Sequence, residues 1–208
     1  SRQIMPSNRN SSSETDRFAF LSGLKSKSRI LIATDFDGTL CPIVSHPKEV
    51  SLGAPARNVL QDLVEAPGVT LAIVTGRSLS DITKLIPVPA LFAGNHGLEI
   101  EGKGLHFRHA GAEECQKLLR EVCAGLKVTL DRWEGAWIEE KGLTATVHFR
   151  QAEMSEHNTI GFAVRAHMQR FEPLLGVRSG HKAIEIYPNL GWNKGSAVSY
   201  IRCAFGLG

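Results

Sequence analysis

The sequence of 208 residues lacks the features that mark several classes of protein. It has four cysteines, which lie far apart and form no C-x-x-C pair: Cys41, Cys115, Cys123 and Cys203. This spacing argues against a disulfide scaffold or a zinc site. No apolar run approaches the ~18 residues of a membrane span, and the N-terminus lacks a secretory-signal pattern. The net charge is only +3, without a cluster of Lys and Arg, so we expect no membrane or nucleic-acid partner and a cytoplasmic location.

The first half of the chain alternates predicted strands and helices. Residues 1–16 are polar and rich in Ser and Asn, and we expect a disordered tail there, followed by a short helix at 17–25. Apolar runs then predict strands at 30–34, 69–74 and 91–94, and helical periodicity predicts helices at 54–66 and 79–86. This alternation predicts an α/β fold with a doubly wound parallel sheet.

The pattern changes after residue 97. It predicts a helix at 112–126 and then two or three strands within 128–150. A second helix is predicted at 155–171 and a further strand at 183–187. A last helix is predicted at 194–205. We therefore expect an inserted α+β domain at 99–188, between a first part of the core at 17–98 and a second part at 189–208.

Residues 35–40 (DFDGTL) carry the strongest chemical signal, directly after a buried strand. Reactive groups in open α/β sheets lie beyond the carboxyl ends of the strands, which places Asp35 and Asp37 there. Neighbouring carboxylates repel and favour a cation, and Mg²⁺ suits oxygen ligands. The apolar strand before them disfavours a surface turn. A calcium loop of the EF-hand type is excluded because its twelfth position holds His46 in place of Glu.

Two further segments suit an anionic group. Residues 75–77 (TGR) follow the second predicted strand and place a hydroxyl and open backbone N–H groups at a strand-to-helix turn. Lys194 begins the last predicted helix, where its charge could neutralise a phosphate. Taken alone, the first segment is a weak signal because Thr-Gly turns are common, and a single Lys at a helix start is usually a solvated surface residue.

Together these segments, in this order, resemble the first three motifs of the haloacid dehalogenase superfamily. The resemblance is closer to the trehalose-6-phosphate phosphatases and covers nearly all of residues 30–208. Two segments are more specific than the shared motifs, residues 94–99 (GNHGLE) and residues 192–195 (WNKG). Residues 138–150 and 182–188 match as well.

The resemblance implies a mechanism and a set of site residues. Asp35 would form an aspartyl-phosphate, Asp37 would act as acid and then base, and both would hold Mg²⁺. Thr75 and Lys194 would hold the phosphoryl group. The insert would close over the sugar as a cap, and the implied substrate-binding residues are Gly76, Arg77, Asn95, His96, Glu139, Lys141, Arg150, Lys182 and Glu185. For Glu140 we expect a solvated strand face, and for His148 an ordinary hydrogen bond.

The implied reaction is hydrolysis of trehalose 6-phosphate, a small-molecule sugar phosphate, as the last step of trehalose biosynthesis. An association with a trehalose-phosphate synthase is a further expectation. Two alternatives stay open: a short form that binds a sugar phosphate without hydrolysing it, and a phosphatase of another sugar phosphate.

The chain departs from the family at the fourth motif, usually G-D-D-x-x-x-D. No Asp follows Asp131 and no Glu follows Glu185, so the motif is absent. We expect a core that is incomplete at the C-terminus, in a fragment of an active enzyme or in a natural short form. We also expect very weak catalysis, because Mg²⁺ would lack part of its carboxylate shell.

Overall fold

A computed structural model describes residues 29–44 and 49–207. The predicted tail at 1–16 and the predicted helix at 17–25 lie outside the described residues. The described residues form two sheets. The first sheet has five strands in sequence order: β1 (Ile30–Thr34), β2 (Val69–Val74), β3 (Leu91–Gly94), β4 (Glu99–Gly102) and β5 (Leu105–Arg108). The first three strands are parallel, and β4 and β5 continue the sheet as an antiparallel hairpin.

The second sheet is antiparallel and has the strand order β6-β7-β9-β8. Its strands are β6 (Trp137–Glu140), β7 (Ala145–His148), β8 (Leu175–Gly180) and β9 (Ala183–Pro188). The α-helices are α1 (Ala54–Glu65), α2 (Leu79–Leu85), α3 (Ala110–Glu114), α4 (Gln116–Leu130), α5 (His157–Met168) and α6 (Lys194–Ala204). Within 29–44 and 49–207, no helix is both long and apolar enough to cross a bilayer.

Helices cover both faces of the first sheet. Along β2, Leu71 and Ile73 belong to an apolar cluster shared with α1 and α2, whereas Ala72 and Val74 belong to a cluster shared with α6. Alternate residues of a strand point to opposite faces, so a continuous apolar run is needed where both faces are covered. Parallel strands with helices on both faces confirm the predicted α/β class.

The second sheet buries only one of its faces. Val147 and Ile186 pack with α4 and α5 in a separate core, which is the largest apolar cluster of the described residues. The opposite face carries polar side chains and turns toward the carboxyl edge of the first sheet. Residues 110–188, which contain this sheet and α3 to α5, are called the α+β segment below. The chain enters it from β5 and leaves it into α6, so it is inserted between two parts of the first sheet's layer.

The predicted boundary of the insert at residue 99 is wrong. Residues 99–108 form the β4–β5 hairpin, and Ile100 pairs with Ala93 of β3 and is buried in the cluster beneath α6. These strands are hard to predict from the sequence because each has four residues and carries charged side chains on its exposed face. The strand β8 was also not predicted.

The predicted strand region at 128–150 begins too early. Helix α4 runs on to Leu130, because Cys123, Leu126 and Leu130 continue the helical spacing that buries one side of it. The two strands β6 and β7 then follow within the predicted range. The helix predicted at 155–171 contains α5, flanked by single 3₁₀ turns at Met154–Glu156 and Gln169–Phe171. The single helix predicted at 112–126 is two helices, α3 and α4, which meet at Cys115. The other helices and strands predicted within the described residues are confirmed, with ends that differ by at most one residue.

Gly97 lets α6 approach the end of β3. It is the last residue of a 3₁₀ turn, Asn95–Gly97, whose first two residues have positive φ. Gly97 itself has φ +90, a conformation that side chains disfavour. A Cβ at this position would overlap the Cβ of Ala197 on α6 and would lie 3.3 Å from Nε1 of Trp192. Trp192 Nε1 also donates a hydrogen bond of 2.9 Å to the carbonyl of Gly97. The start of α6 is therefore fixed against this turn.

Replacing Gly97 with Ala should lower the free energy of unfolding by roughly 2–5 kcal/mol, since it combines a strained positive φ with overpacking. Gly104→Ala is the matched control, because Gly104 has φ +80 but no atom within 4 Å of the added Cβ. It should cost about 1–2 kcal/mol. Urea unfolding measures both variants, and equal losses would contradict the close approach of α6.

Candidate active site

The carboxyl end of β1 places Asp35 beside the start of α6. Its Oδ1 accepts a hydrogen bond of 2.7 Å from the backbone N–H of Phe36, and its Oδ2 accepts one of 2.7 Å from Nζ of Lys194. Lys194 is the first residue of α6, which Asn193 caps by accepting from the backbone N–H groups of Gly195 and Ser196. The cap fixes where the helix begins, and so it fixes the Lys194 side chain against the Asp35 carboxylate.

Arg77 holds Asp37 with two hydrogen bonds. Its Nη2 and Nε donate to Oδ1 and Oδ2 of Asp37 at 2.8 and 2.9 Å, and its Nη1 donates to Asp81 at 2.8 Å. Burial by itself lowers the pKa of Arg77, but the hydrogen bonds to Asp37 and Asp81 outweigh it and raise the pKa above its ordinary value. The guanidinium is therefore a permanent cation beside the two aspartates.

The turn after β2 brings Gly76 to the surface and leaves Thr75 underneath. Thr75 is fully buried, and its Oγ1 accepts from the backbone N–H of Arg77 at 3.2 Å. Gly76 leaves room for His96, because a Cβ on Gly76 would lie 2.7 Å from Cε1 of the His96 ring. The turn therefore presents backbone, not a side chain, at this point.

A cavity of about 390 Å³ lies between the carboxyl edge of the first sheet and the polar face of the second. This volume is within the range of small-molecule sites. The first sheet's layer contributes six of the predicted site residues: Asp35, Asp37, Gly76, Arg77, His96 and Lys194. The α+β segment contributes five more: Glu139, Lys141, Arg150, Lys182 and Glu185. The two sets meet across the cavity although they are far apart in sequence.

Two predicted site residues do not line this cavity. Thr75 lies beneath it, as described above. Asn95 is also fully buried, and its amide donates to Glu99 at 2.7 Å and to the carbonyl of Lys141 at 3.0 Å while its Oδ1 accepts from Thr144. The Asn95 side chain is thus occupied by protein partners and joins the two sheets, so a direct substrate contact is not what this structure shows.

Two histidine–glutamate pairs shape the cavity's charge. His96 bonds Glu185 at 3.0 Å across the cavity, and His148 bonds Glu139 at 2.8 Å within the second sheet. Burial by itself raises the pKa of Glu185, but the hydrogen bond and charge of His96, with Lys141, outweigh it and hold the pKa below its ordinary value. The same balance lowers the pKa of Glu139, through His148 and Lys141. Both glutamates are hydrogen-bond acceptors at neutral pH.

Sequence reasoning missed two polar residues of β7 that line the cavity, Thr146 and His148. His148 makes the hydrogen bond that we expected, but it also stacks on Trp137 at the cavity wall. The alternation of polar and apolar residues in 144–149 (TATVHF) could have indicated both, because Ala145 and Val147 are buried on the opposite face. Glu140 is a solvated residue that pairs with Lys127, as expected.

The residues present fit a magnesium ion only in part. Magnesium is usually held by one or two carboxylates together with phosphate oxygens and water, and Asp35 and Asp37 lie at one strand end. In the described residues, no group of three or more His, Cys, Asp and Glu side chains could hold a metal. The pair therefore fits an ion that takes its other ligands from a bound phosphate, from water or from backbone carbonyls.

Comparison with known proteins places this chain in a family. The family model for trehalose-phosphatase matches residues 33–205, which include the two aspartates after β1, the α+β segment and all of α6. This chain belongs to the trehalose-phosphatase family. It is 32% identical over 169 residues to the trehalose-phosphate phosphatase of Mycobacterium tuberculosis (strain ATCC 25618 / H37Rv), a match that covers 80% of this chain and 42% of that protein. The chain therefore spans less than half the length of this curated relative.

Solved structures confirm the fold of this trehalose-phosphatase family member. A trehalose-6-phosphate phosphatase related protein superposes with a TM-score of 0.74 at 25% identity, over 84% of this chain and 74% of that one. A haloacid dehalogenase-like hydrolase from Bacteroides thetaiotaomicron superposes with a TM-score of 0.57 at 15% identity, over 86% of this chain and 77% of that one. The second likeness shows the predicted haloacid dehalogenase-like fold alone.

The His96–Glu185 pair should make the stability of the protein depend on acid pH. Because the pKa of Glu185 in the folded state lies below its ordinary value of 4.5, its contribution is present above that value and is lost as pH falls further. Glu185→Gln should therefore lower the melting temperature at pH 7, and the difference from the wild type should narrow below about pH 4.

Thermal unfolding between pH 7 and pH 3 measures this difference. Glu140→Gln is the control, because Glu140 forms an exposed ion pair of the kind that contributes little. A gap between wild type and Glu185→Gln that stays constant over the whole pH range would show that the pair does not stabilise the fold.

Proposed function

We propose that this chain carries the catalytic aspartates and the sugar-binding surface of a Mg²⁺-dependent phosphatase that converts trehalose 6-phosphate to trehalose and phosphate. The observation that carries the proposal is the placement of Asp35 and Lys194, 2.7 Å apart, opposite a wall of polar side chains from the second sheet. A phosphate ester needs a nucleophile and a cation at one end, and a polyhydroxylated leaving group needs hydrogen-bonding groups at the other. The cavity offers both.

Asp35 is the proposed nucleophile. One of its carboxylate oxygens attacks phosphorus, the bond from phosphorus to the sugar oxygen breaks, and an aspartyl-phosphate forms. The Phe36 N–H and Lys194 hold the carboxylate in one orientation, which favours attack along a single line. Lys194 also lies where it can neutralise the charge that the phosphoryl oxygens carry during transfer.

Asp37 is the proposed acid and base. It gives a proton to the leaving sugar oxygen, and then takes a proton from the water that attacks the aspartyl-phosphate and releases phosphate. Both of its oxygens now accept hydrogen bonds from Arg77. A carboxyl group that donates a proton must turn one oxygen toward the sugar, so Arg77 has to release one of its two bonds when substrate binds.

Mg²⁺ would be held by the carboxylate of Asp35 and, as the family resemblance implies, by the backbone carbonyl of Asp37. When bound, it would supply positive charge beside the phosphate oxygens. The described residues offer no larger acidic group for it. We therefore expect slow turnover by this chain and a requirement for high magnesium concentration.

The α+β segment is the proposed cap. Its polar face supplies charged hydrogen-bonding groups, Glu139, Lys141 and Glu185, which suit the adjacent hydroxyls of a sugar. Lys141 already reaches across to the carbonyl of Gly76 at 3.2 Å, and His96 reaches to Glu185, so cap and core are in contact. An enclosed site excludes water and strengthens each of these interactions. The association with a trehalose-phosphate synthase and the cytoplasmic location stay predictions from the sequence.

Purified chain with magnesium should release phosphate from trehalose 6-phosphate, and Asp35→Asn should reduce the rate by about a thousandfold or more, because the nucleophile is lost. The rate should also fall to background when EDTA removes magnesium. Phosphate release is measured at high enzyme concentration, with Glu140→Gln as a variant that keeps the wild-type rate.

A panel of sugar phosphates separates the alternatives. Glucose 6-phosphate and sucrose 6-phosphate should react at least tenfold more slowly than trehalose 6-phosphate, since the cap contacts are made to the disaccharide. Equal turnover of glucose 6-phosphate would show that the disaccharide is not the substrate. Tight binding of trehalose 6-phosphate without any release of phosphate dependent on Asp35 would instead favour the binding-only form.

A further inference from the structure

Thr146 has a buried hydroxyl at the cavity wall, and none of residues 29–44 and 49–207 is its hydrogen-bond partner. It is only 4% exposed, and its Oγ1 makes no hydrogen bond with any described residue. It lies on β7 with its side chain at the cavity between the two sheets. Buried hydroxyl groups nearly always have a hydrogen-bond partner, so this exception indicates a partner outside the described residues, and the adjoining cavity is where a ligand can supply it.

The strand register places Thr146 between two carboxylates. Thr146 is directly opposite Glu139 on β6 and directly opposite Glu185 on β9. Side chains opposite each other in an antiparallel sheet have Cβ atoms about 4.5–5.5 Å apart and lie on the same face. The three side chains therefore form a row across the cavity wall, which is called the β7 row below.

In the β7 row, a side chain that can donate a hydrogen bond lies between two that can only accept. Glu139 and Glu185 can only accept hydrogen bonds, whereas the Thr146 hydroxyl can donate one and accept others. A row of this kind matches a compound with several neighbouring hydroxyl groups, since each of them can donate to a carboxylate and accept from a threonine. A neutral hydroxyl between two negative charges does not suit a phosphate, which belongs beside Lys194 at the opposite wall.

The hydroxyl is covered in the present rotamer, with less than 1 Å² of its oxygen accessible. Rotation about the Cα–Cβ bond exchanges the hydroxyl with the methyl group of a threonine. At Thr146 this rotation breaks no hydrogen bond with the described part of the chain, because Oγ1 makes none there. A ligand in the cavity can therefore turn the hydroxyl toward itself without competing against the protein.

We propose that Thr146 is a specificity-determining residue that hydrogen-bonds a sugar hydroxyl between those taken by Glu139 and Glu185. This inference deepens the proposed function and rests on it, since it assigns the sugar end of the same site. Thr144, two residues earlier on the same side of the chain, provides a contrast: its hydroxyl donates to Asn95 and is part of the contact between the sheets.

Binding of trehalose 6-phosphate, measured by calorimetry in an Asp35→Asn background that blocks attack, tests the proposal. Thr146→Val should weaken binding about five- to tenfold, whereas Thr146→Ser should stay within about twofold of the parent. The affinity for inorganic phosphate should be the same in the parent and in both Thr146 variants. A parent and a Thr146→Val variant that bind trehalose 6-phosphate equally well would overturn the role of Thr146.

Thermal unfolding separates this role from a structural one. Thr146→Val should leave the melting temperature unchanged or raise it, because it removes an unpaired hydroxyl, whereas Thr144→Val should lower it by about 2–6 °C. A comparable loss of stability in Thr146→Val, with unchanged binding, would show that the hydroxyl serves the fold.

The proposed substrate can be wrong while the proposed role of Thr146 is right, and the two outcomes can be distinguished. If the parent does not bind trehalose 6-phosphate, the proposed substrate is wrong, and the same variants are measured with sucrose 6-phosphate and glucose 6-phosphate. Weaker binding of whichever sugar phosphate the parent binds would support the role of Thr146. A parent that binds none of these sugar phosphates would overturn both proposals.

Discussion

Two carboxylates stand two residues apart at the carboxyl edge of the first sheet, and each is held by a cation from another element. Lys194 reaches Asp35 from the start of α6, and Arg77 reaches Asp37 from the turn after β2. Like charges this close repel, so the local fold of this edge depends on both cations. This requirement draws three segments, far apart in sequence, to one point, and it leaves their positive charges where a phosphate would lie.

The contact between the two sheets depends on residues at the same edge, directly after β3. Asn95 is fully buried and bonds Thr144 and the Lys141 backbone, while His96 bonds Glu185. Asn95 and His96 have positive φ, an uncommon conformation that turns the chain sharply at the end of β3. The residues that join the sheets are thus neighbours of those that face the cavity. His96 bonds only Oε1 of Glu185, so the same carboxylate takes part in the contact between the sheets and lines the cavity.

The sequence predicted the parts of this arrangement that depend on local patterns. Apolar runs located β1, β2 and β3, and the residues directly after them located Asp35, Asp37 and Gly76. The hairpin at 99–108 was not predicted, because its strands are short and charged and they form only by pairing with β3. Helix α4 was predicted too short, because helix propensity is weak near its C-terminus and the burial of Leu130 decides where the helix ends.

The sequence by itself determined the fold class, the family and the two aspartates, because these depend on residue types at fixed short spacings. The tertiary structure decided which polar groups have partners. It buried Thr75 and Asn95, to which the family resemblance had given contacts with the phosphoryl group and the substrate, and it set Thr146 and His148 at the cavity wall. The physical reason is that exposure and hydrogen-bond partners depend on the packing of one sheet against the other, and that packing joins residues which no local pattern relates.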